Sequence, residues 1–337
     1  MRRLPAEWEK QRCVLMSFPH KQTDWYNLDD PKSLDEALSP FIRIAQAIAY
    51  KEPVYIICKD TKYTADMFCS THNMIFWELA TNDTWIRDYG YIGIEEDREK
   101  KLLDFAFDGW GGKFDAEFDN AVNRAFYKTG LMGTTPLQSI DFVLEGGSIE
   151  SDGEGTILTT SQCLCNPNRN KGLTKTEVEI KLHEYLGTKR VLWLDHGHLI
   201  GDDTDSHIDT LARFIDKKTI AYVRCDNKED EHYETLMAME AQLQTFRTVE
   251  NKPYTLVPLP MCEAKYNSEG NRLPATYANF LITNDALVYP TYCDRHDKMV
   301  GALFKTLFPG KEIIPVNCLK LIEQGGSLHC STMQVAF

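Results

Sequence analysis

Four short clusters hold the side chains of this chain that are hardest to explain as surface. "NDTWIRDYG" (82 to 90) carries Asp83, Trp85, Arg87 and Asp88, and "LEGGS" carries Glu145. "GDDTDSHIDTLARF" (201 to 214) carries Asp202, Asp203, Asp205, His207 and Asp209, and "GGSLHC" carries His329 and Cys330. If "SHIDTLARF" is extended, its period of two places His207 and Asp209 on one face and Ile208 on the other. A histidine beside a carboxylate can be held in one tautomer and carry protons. The plain alternative is a loop of solvated acids with a surface histidine. A thiolate at Cys330 would be a strong nucleophile at neutral pH, provided a cation or imidazole lowers its pKa. The plain alternative is a small buried hydrophobe, as for most of the other nine cysteines. His329 is adjacent, but in a strand its side chain points to the opposite face, which makes it a poor base for Cys330. If gathered, the carboxylates, the histidine and the cysteine suit a guanidinium. That group is planar and cationic, with donors in a fixed fork that two carboxylates can hold on two sides. Its carbon is then exposed face-on to a thiol.

The same loop admits a metal. Asp205-Ser206-His207-Ile208-Asp209 resembles the D-A-H-x-D manganese motif of ureohydrolases, with Asp202, Asp203, His196 and His198 close by. A second aspartate-rich motif that would complete a two-metal site is absent from the sequence. Cys163 and Cys165 form a "CLC" that is half a zinc site at best, and with no second close pair they read as structural filler.

Strand-length apolar runs must position these residues: "CVLMSF", "PVYIIC", "MIFWEL", "TIAYVR", "YTLVPL", "ALVYP" and "EIIPV". Helical patterns alternate with them. "SLDEALSPFIRIAQAIAY" opens on a Ser33 cap, "LTKTEVEIKLHEYLG" closes on a glycine, and "DEHYETLMAMEAQLQTF" and "HDKMVGALFKTLF" follow. The fold class is therefore α/β, with both element types along the whole chain. "VLEGGSIES" and "IEQGGSLHC" echo each other across the chain. Paired glycines permit positive φ and close backbone approach, so both read as sharp turns delivering a short strand to a crowded place.

The 337 residues are 43% hydrophobic, with 20 glycines and 14 prolines and no linker or tandem repeat, which favours one continuous domain over residues 1–337. A formal net charge of −13 without a basic stripe argues against nucleic acid and favours a small cationic substrate. Nowhere do about 18 apolar residues run together, so no membrane partner is expected. Ten scattered cysteines fit reduced thiols and a cytoplasmic location.

Taken in order, "LPAEWE", "DTWIRDYG", "LEGGSIESDGEGTILTT", "CNPNRNKGLTKTEVEIKLHEYLG", "DDTDSHIDTLARF", "RLPATYANFLITNDALVYP" and "GGSLHC" resemble the agmatine deiminase family of the guanidino-modifying, or pentein, enzymes. The resemblance implies a pseudo-fivefold α/β propeller of ββαβ units around a central site that hydrolyses agmatine to N-carbamoylputrescine and ammonia, without cofactor or metal. It places the nucleophile on Cys330, the proton carrier on His207, the guanidinium-binding aspartates on Asp88 and Asp209, and the acid that holds the histidine on Glu145. For the substrate's distant amine, Trp85 could cover the aliphatic chain and Asp203 could meet the ammonium. A deiminase for free arginine would want an arginine facing the α-carboxylate, and Arg87 is the nearest by sequence.

The chain departs from the family pattern in three places. Asp88 is followed by Tyr89-Gly90-Tyr91 where a small residue and proline are usual, Ser206 stands where glycine commonly precedes H-x-D, and the tail stops early. Competing readings are a metal-dependent guanidino ureohydrolase, an arginine or peptidyl-arginine deiminase, and a non-catalytic pentein that binds a ligand. The sequence leaves open whether the chain forms a homo-oligomer.

Overall fold

Five crossover helices and five mixed sheets follow one another in a repeating order among the described residues, 1–30 and 32–336, of this computed structural model. In the second sheet, Ile92–Glu96 and Glu99–Ala106 form an antiparallel hairpin, the helix Asp119–Tyr127 crosses over, and Leu137–Val143 adds in parallel. The third repeats this with Ile149–Ser151, Thr156–Thr160, the helix Lys175–Leu186 and Arg190–Leu194. The fourth uses Ala212–Asp216, Thr219–Arg224, the helix Tyr233–Thr245 and Thr255–Pro260. The fifth uses Leu281–Ile282, Ala286–Thr291, the helix Asp297–Leu307 and Glu312–Asn317. The first sheet closes the chain on itself. Gln11–Ser17 pairs in parallel with Val54–Cys58 across the helix Ser33–Ala49, while its antiparallel partner is the distant segment Met333–Ala336.

Local chemistry explains most of these elements. Thr174 accepts from the Glu177 amide while the Glu177 carboxylate accepts from the Thr174 amide, a capping box, and Gly187 closes that helix at φ 72°. All seven strand-length runs expected from the sequence lie in strands. One cap differs: Lys32 is the N-cap of the first helix, Ser33 is its first helical residue, and the Ser33 hydroxyl accepts from the Asn27 amide instead. Thr156–Thr160 is buried throughout, so it lacks the polar alternation by which a strand is recognised in sequence.

The core is apolar and continuous, with Phe41, Phe126, Phe214, Phe280 and Phe304 fully buried between helices and sheets. All ten cysteines are free thiols. Among the described residues no helix is long and apolar enough to cross a membrane.

Candidate active site

The turn that leads into the inner hairpin strand of each sheet carries one or two polar residues, and these turns converge. Asp88 lies four residues before Ile92–Glu96, Glu145 four before Ile149–Ser151, and His207 and Asp209 stand just ahead of Ala212–Asp216. Asn279 precedes Leu281–Ile282, and Cys330 precedes Met333–Ala336. All of these side chains are buried.

Their mutual geometry is tight. His207 Nε2 lies 3.2 Å from Glu145 Oε2, and its Nδ1 lies 3.5 Å from Asp88 Oδ1. Asp88 is fixed by two donors at 2.9 Å, the Trp110 indole on Oδ2 and the Gly147 amide on Oδ1. A Cβ on Gly147 would fall 2.6 Å from His207 Nδ1, 2.8 Å from Asp88 Oδ1 and 3.2 Å from Asp209 Oδ2, so the missing side chain is what lets these three groups share one space. Asp209 Oδ2 accepts from His329 Nδ1 at 2.7 Å, while Asp209 Oδ1 is buried with no hydrogen-bond partner among the described residues. Cys330 Sγ lies 3.2 Å from Asn279 Nδ2 and 3.9 Å from Asp209 Oδ2. Asn279 Oδ1 also accepts from the His329 amide at 2.8 Å, which sets the turn that carries the thiol.

Asp88 and Cys330 line a cavity of about 190 Å³. Trp85, Trp110 and Phe114 supply apolar wall, Asp24, Asp83 and Asp203 supply acids, and none of the lining residues is cationic.

Burial and like charge set the protonation states. Burial pushes the Cys330 thiol well above its ordinary value, and Asp209 and Asp88 push it further. Burial alone would lower His207, but the Asp88 carboxylate, aided by Cys163 and Glu145, holds it well above the usual histidine range. Burial would raise Asp209, yet its bond to His329 and the charges of His329, His207 and Arg213 keep it low. Glu145 is likewise held below the ordinary range against burial by His207 and Arg169. The site therefore holds a neutral thiol, an imidazolium and an unpaired carboxylate oxygen.

Residues 3–336 match the model of the Porphyromonas-type peptidyl-arginine deiminase family. The chain belongs to that family. A Porphyromonas gingivalis structure provisionally described as an arginine deiminase is 47% identical, with TM-score 0.94 over 99% of this chain and 98% of that one. A Campylobacter jejuni agmatine deiminase, a cysteine-to-serine variant with substrate bound, is 40% identical, with TM-score 0.92 over 100% of this chain and 97% of that one. The Pseudomonas aeruginosa DDAH, a dimethylarginine dimethylaminohydrolase, is 11% identical with TM-score 0.53 over 96% of this chain and 99% of that one, which marks a shared α/β fold.

Within this deiminase-family chain, the five residues expected to carry the chemistry lie together, and Trp85 and Asp203 line the cavity beside Cys330. Several expectations about how they get there need correction. His207 and Asp209 do not share a strand face: Ile208–Thr210 is a 3₁₀ turn, and both side chains reach the site from it. His329 is not in a strand either, since residues 328–331 are turn, followed by the Thr332 amide on the His329 carbonyl at 3.0 Å. The glycines of "LEGGS" have no positive φ; Gly146 is needed because its Cβ would meet the Arg87 carbonyl at 2.2 Å. Only Gly325 adopts the left-handed conformation, at φ 76°, and Gly326 is pressed against the Trp85 ring.

Arg87 lies behind the site, donating to the His329 carbonyl at 3.3 Å, and does not line the cavity. The acid-rich loop does not gather a metal site of its own. Asp202 accepts from the amides of Thr204 and Ser206, Asp205 pairs with Lys113 and Arg169, and His196 and His198 are exposed. Ser206, which stands where the family commonly has glycine, adopts φ 67°, the conformation that explains the glycine.

Three contributors went unread. Glu7 of "LPAEWE" accepts from His329 Nε2 at 2.8 Å and pairs with Arg213, Arg169 Nε holds Glu145 at 2.7 Å, and Asn279 holds the cysteine turn. Each sits in an ordinary-looking segment, and their signal was the ordered motif set rather than any local pattern.

Proposed function

We propose that this chain is an agmatine deiminase, and the observation that carries the reading is the Asp209 carboxylate, with Oδ2 3.9 Å from Cys330 Sγ and Oδ1 unpartnered, next to a cavity that Asp88 and Cys330 line with no cationic residue. A guanidinium seats between Asp88 and Asp209, each carboxylate taking one side of the fork. It neutralises the two charges that keep the Cys330 thiol protonated, so the substrate itself favours the nucleophile. As the cation seats, Cys330 gives up its thiol proton to solvent, and the thiolate Sγ attacks the guanidino carbon. His207, which Glu145 holds through Nε2, presents Nδ1 to the side of Asp88 and delivers a proton to the departing ammonia. A thiouronium remains on Cys330; His207 then takes a proton from water, which attacks the same carbon and releases N-carbamoylputrescine and the thiol. The scheme uses no metal or cofactor.

The far end of the cavity distinguishes the substrate. Trp85 covers the aliphatic chain, and Asp203, with Asp83 and Asp24, suits an ammonium. A free arginine would bring its α-carboxylate to these acids with Arg87 out of reach, so an amine-ended guanidine is the better fit. The product retains the amine and lies one hydrolysis from putrescine.

The five sheets of like order, each leading one turn to the same site, support a pseudo-fivefold propeller formed as a single catalytic domain. Ten free thiols suit a cytoplasmic enzyme.

A product assay tests the reading. Agmatine, arginine and a peptidyl-arginine are compared with and without chelator, and Cys330→Ser is expected to stay folded and lose ammonia release. Urea as product, or full activity in the serine variant, overturns it.

A further inference from the structure

One group of potential metal ligands lies inside the site, and one of its members has no part in the proposed reaction. Cys163, fully buried in the short helix Ser161–Leu164, points at the histidine–glutamate pair: its Sγ is 3.5 Å from Glu145 Oε2, which in turn is 3.2 Å from His207 Nε2. Among the described residues this is the group whose histidine, cysteine and carboxylate ligand atoms all fall within 4.8 Å of one another.

The spacings are those of a tetrahedral zinc edge. Ordinary zinc bonds to nitrogen, oxygen and sulfur place neighbouring N and O ligands roughly 3.3 Å apart and S and O ligands roughly 3.5 Å apart. The remaining ring nitrogen also fits, because a ligating histidine normally donates its other N–H to a carboxylate, and His207 Nδ1 faces Asp88 Oδ1 at 3.5 Å. Charge balances too. Zinc at this point displaces the Nε2 proton of His207 and the thiol proton of Cys163, so two protons leave as a dication enters and the net buried charge is unchanged. Arg169 Nε lies 2.7 Å from Glu145 Oε1 and 2.9 Å from Oε2, so metal binding shifts this shared hydrogen bond onto Oε1 and leaves Oε2 to the metal. Asp88, which faces His207 Nδ1, also lines the neighbouring cavity, whose acids Asp24, Asp83 and Asp203 attract divalent cations.

We infer that Glu145, Cys163 and His207 form an inhibitory site for a borderline-soft divalent cation of the zinc type. The bound ion occupies the proton carrier, so turnover stops while Cys330 stays unligated. Cys163 is then a regulatory ligand, and its thiol makes the site selective for zinc-like ions over magnesium or calcium.

The test uses the full chain with the exposed Cys69 and Cys293 replaced by serine, so that surface thiols do not contribute. Cobalt(II) is titrated as a spectroscopic substitute and zinc as the inhibitor. One cobalt per chain with a thiolate-to-cobalt charge-transfer band is expected, unchanged in Cys330→Ser and lost in Cys163→Ser. Zinc should inhibit ammonia release reversibly by chelator, and Cys163→Ser or Cys163→Ala should raise the half-inhibiting zinc concentration by about 10-fold or more, each variant read against its own metal-free rate. Two cysteine variants are used, with circular dichroism on each, so that one misfolded protein does not decide the result. The absence of a band in the parent, or a band that survives Cys163→Ser and disappears in Cys330→Ser, overturns the assignment. The cobalt measurement does not require turnover, so it fails or succeeds independently of the substrate.

Discussion

His329 lies between two carboxylates, with Nδ1 2.7 Å from Asp209 Oδ2 and Nε2 2.8 Å from Glu7 Oε2. Both ring nitrogens are engaged, so the imidazole does not serve Cys330; it pins one oxygen of Asp209 and leaves the other for a guanidinium. Glu7 is itself held by Arg213 at 2.9 Å, which extends the support from the site into the N-terminal segment.

His329→Gln removes one of these two bonds and the charge between them. Loss of a buried charge partner costs about 2–5 kcal/mol, so kcat/KM for agmatine should fall by roughly 30-fold to several thousand-fold. The loss should appear mainly in KM, because Asp209 binds the cation before and during attack. Steady-state kinetics check this, and a large fall in kcat at constant KM would place His329 in the chemical steps instead.

Gly147→Ala tests the shared space directly. The added Cβ would fall 2.6 Å from His207 Nδ1 and 2.8 Å from Asp88 Oδ1, contacts relieved only by shifting these two buried, hydrogen-bonded side chains. Overpacking of this kind costs about 1–3 kcal/mol of stability. Displacing the proton carrier by a fraction of an ångström should lower kcat by about 100-fold. The variant should remain folded by circular dichroism, with its melting temperature reduced by a few degrees and its turnover nearly absent. Near-normal turnover would mean that His207 is not held where it works.

The strands and helices that periodicity can report were legible in the sequence, and so was the set of reacting groups. Val54–Cys58 and Lys175–Leu186 have the composition and caps their structure needs. What periodicity could not report is the shape of the turns. His207, Asp209, His329 and Cys330 lie in 3₁₀ or irregular turns, where side-chain direction depends on long-range packing and alternation predicts nothing. Glu7 and Arg169 were missed for a related reason. Their partners, His329 and Glu145, are 322 and 24 residues away, so nothing local marks them as buried.

Asp119 and Asp83 give a pH signature to stability. Burial lifts Asp119 to about 8, with Asp83 adding to it, and burial lifts Asp83 to about 7. Both folded-state values lie above the ordinary carboxylate value, so between about pH 4 and pH 8 the folded chain holds protons that the unfolded chain has released. Stability linked to these groups is therefore fully present at low pH and is lost as pH rises towards 8. Asp119→Asn keeps an acceptor for the Asn82 amide at 2.8 Å and removes the titration. In urea melts at pH 5, 6, 7 and 8, the parent should lose stability relative to the variant by up to about 1.4 kcal/mol per pH unit. Parallel curves would show that Asp119 stays charged across the range.

Asp209→Asn should move two observables in opposite directions. The Asp209 carboxylate is 3.9 Å from Cys330 Sγ, and after burial it is the largest influence holding that thiol protonated. Replacing it by a neutral amide lowers the Cys330 pKa, so alkylation of Cys330 by iodoacetamide at pH 7.5 should become faster than in the parent, as followed by mass spectrometry of the Cys330 peptide. The same change removes one arm of the guanidinium clamp and should reduce kcat/KM for agmatine by about 100-fold or more. A nucleophile that becomes more reactive while the enzyme becomes slower is the result expected if the substrate's own charge normally offsets Asp209. Slower alkylation together with slower turnover would instead mean that Asp209 acts on the thiol as a base.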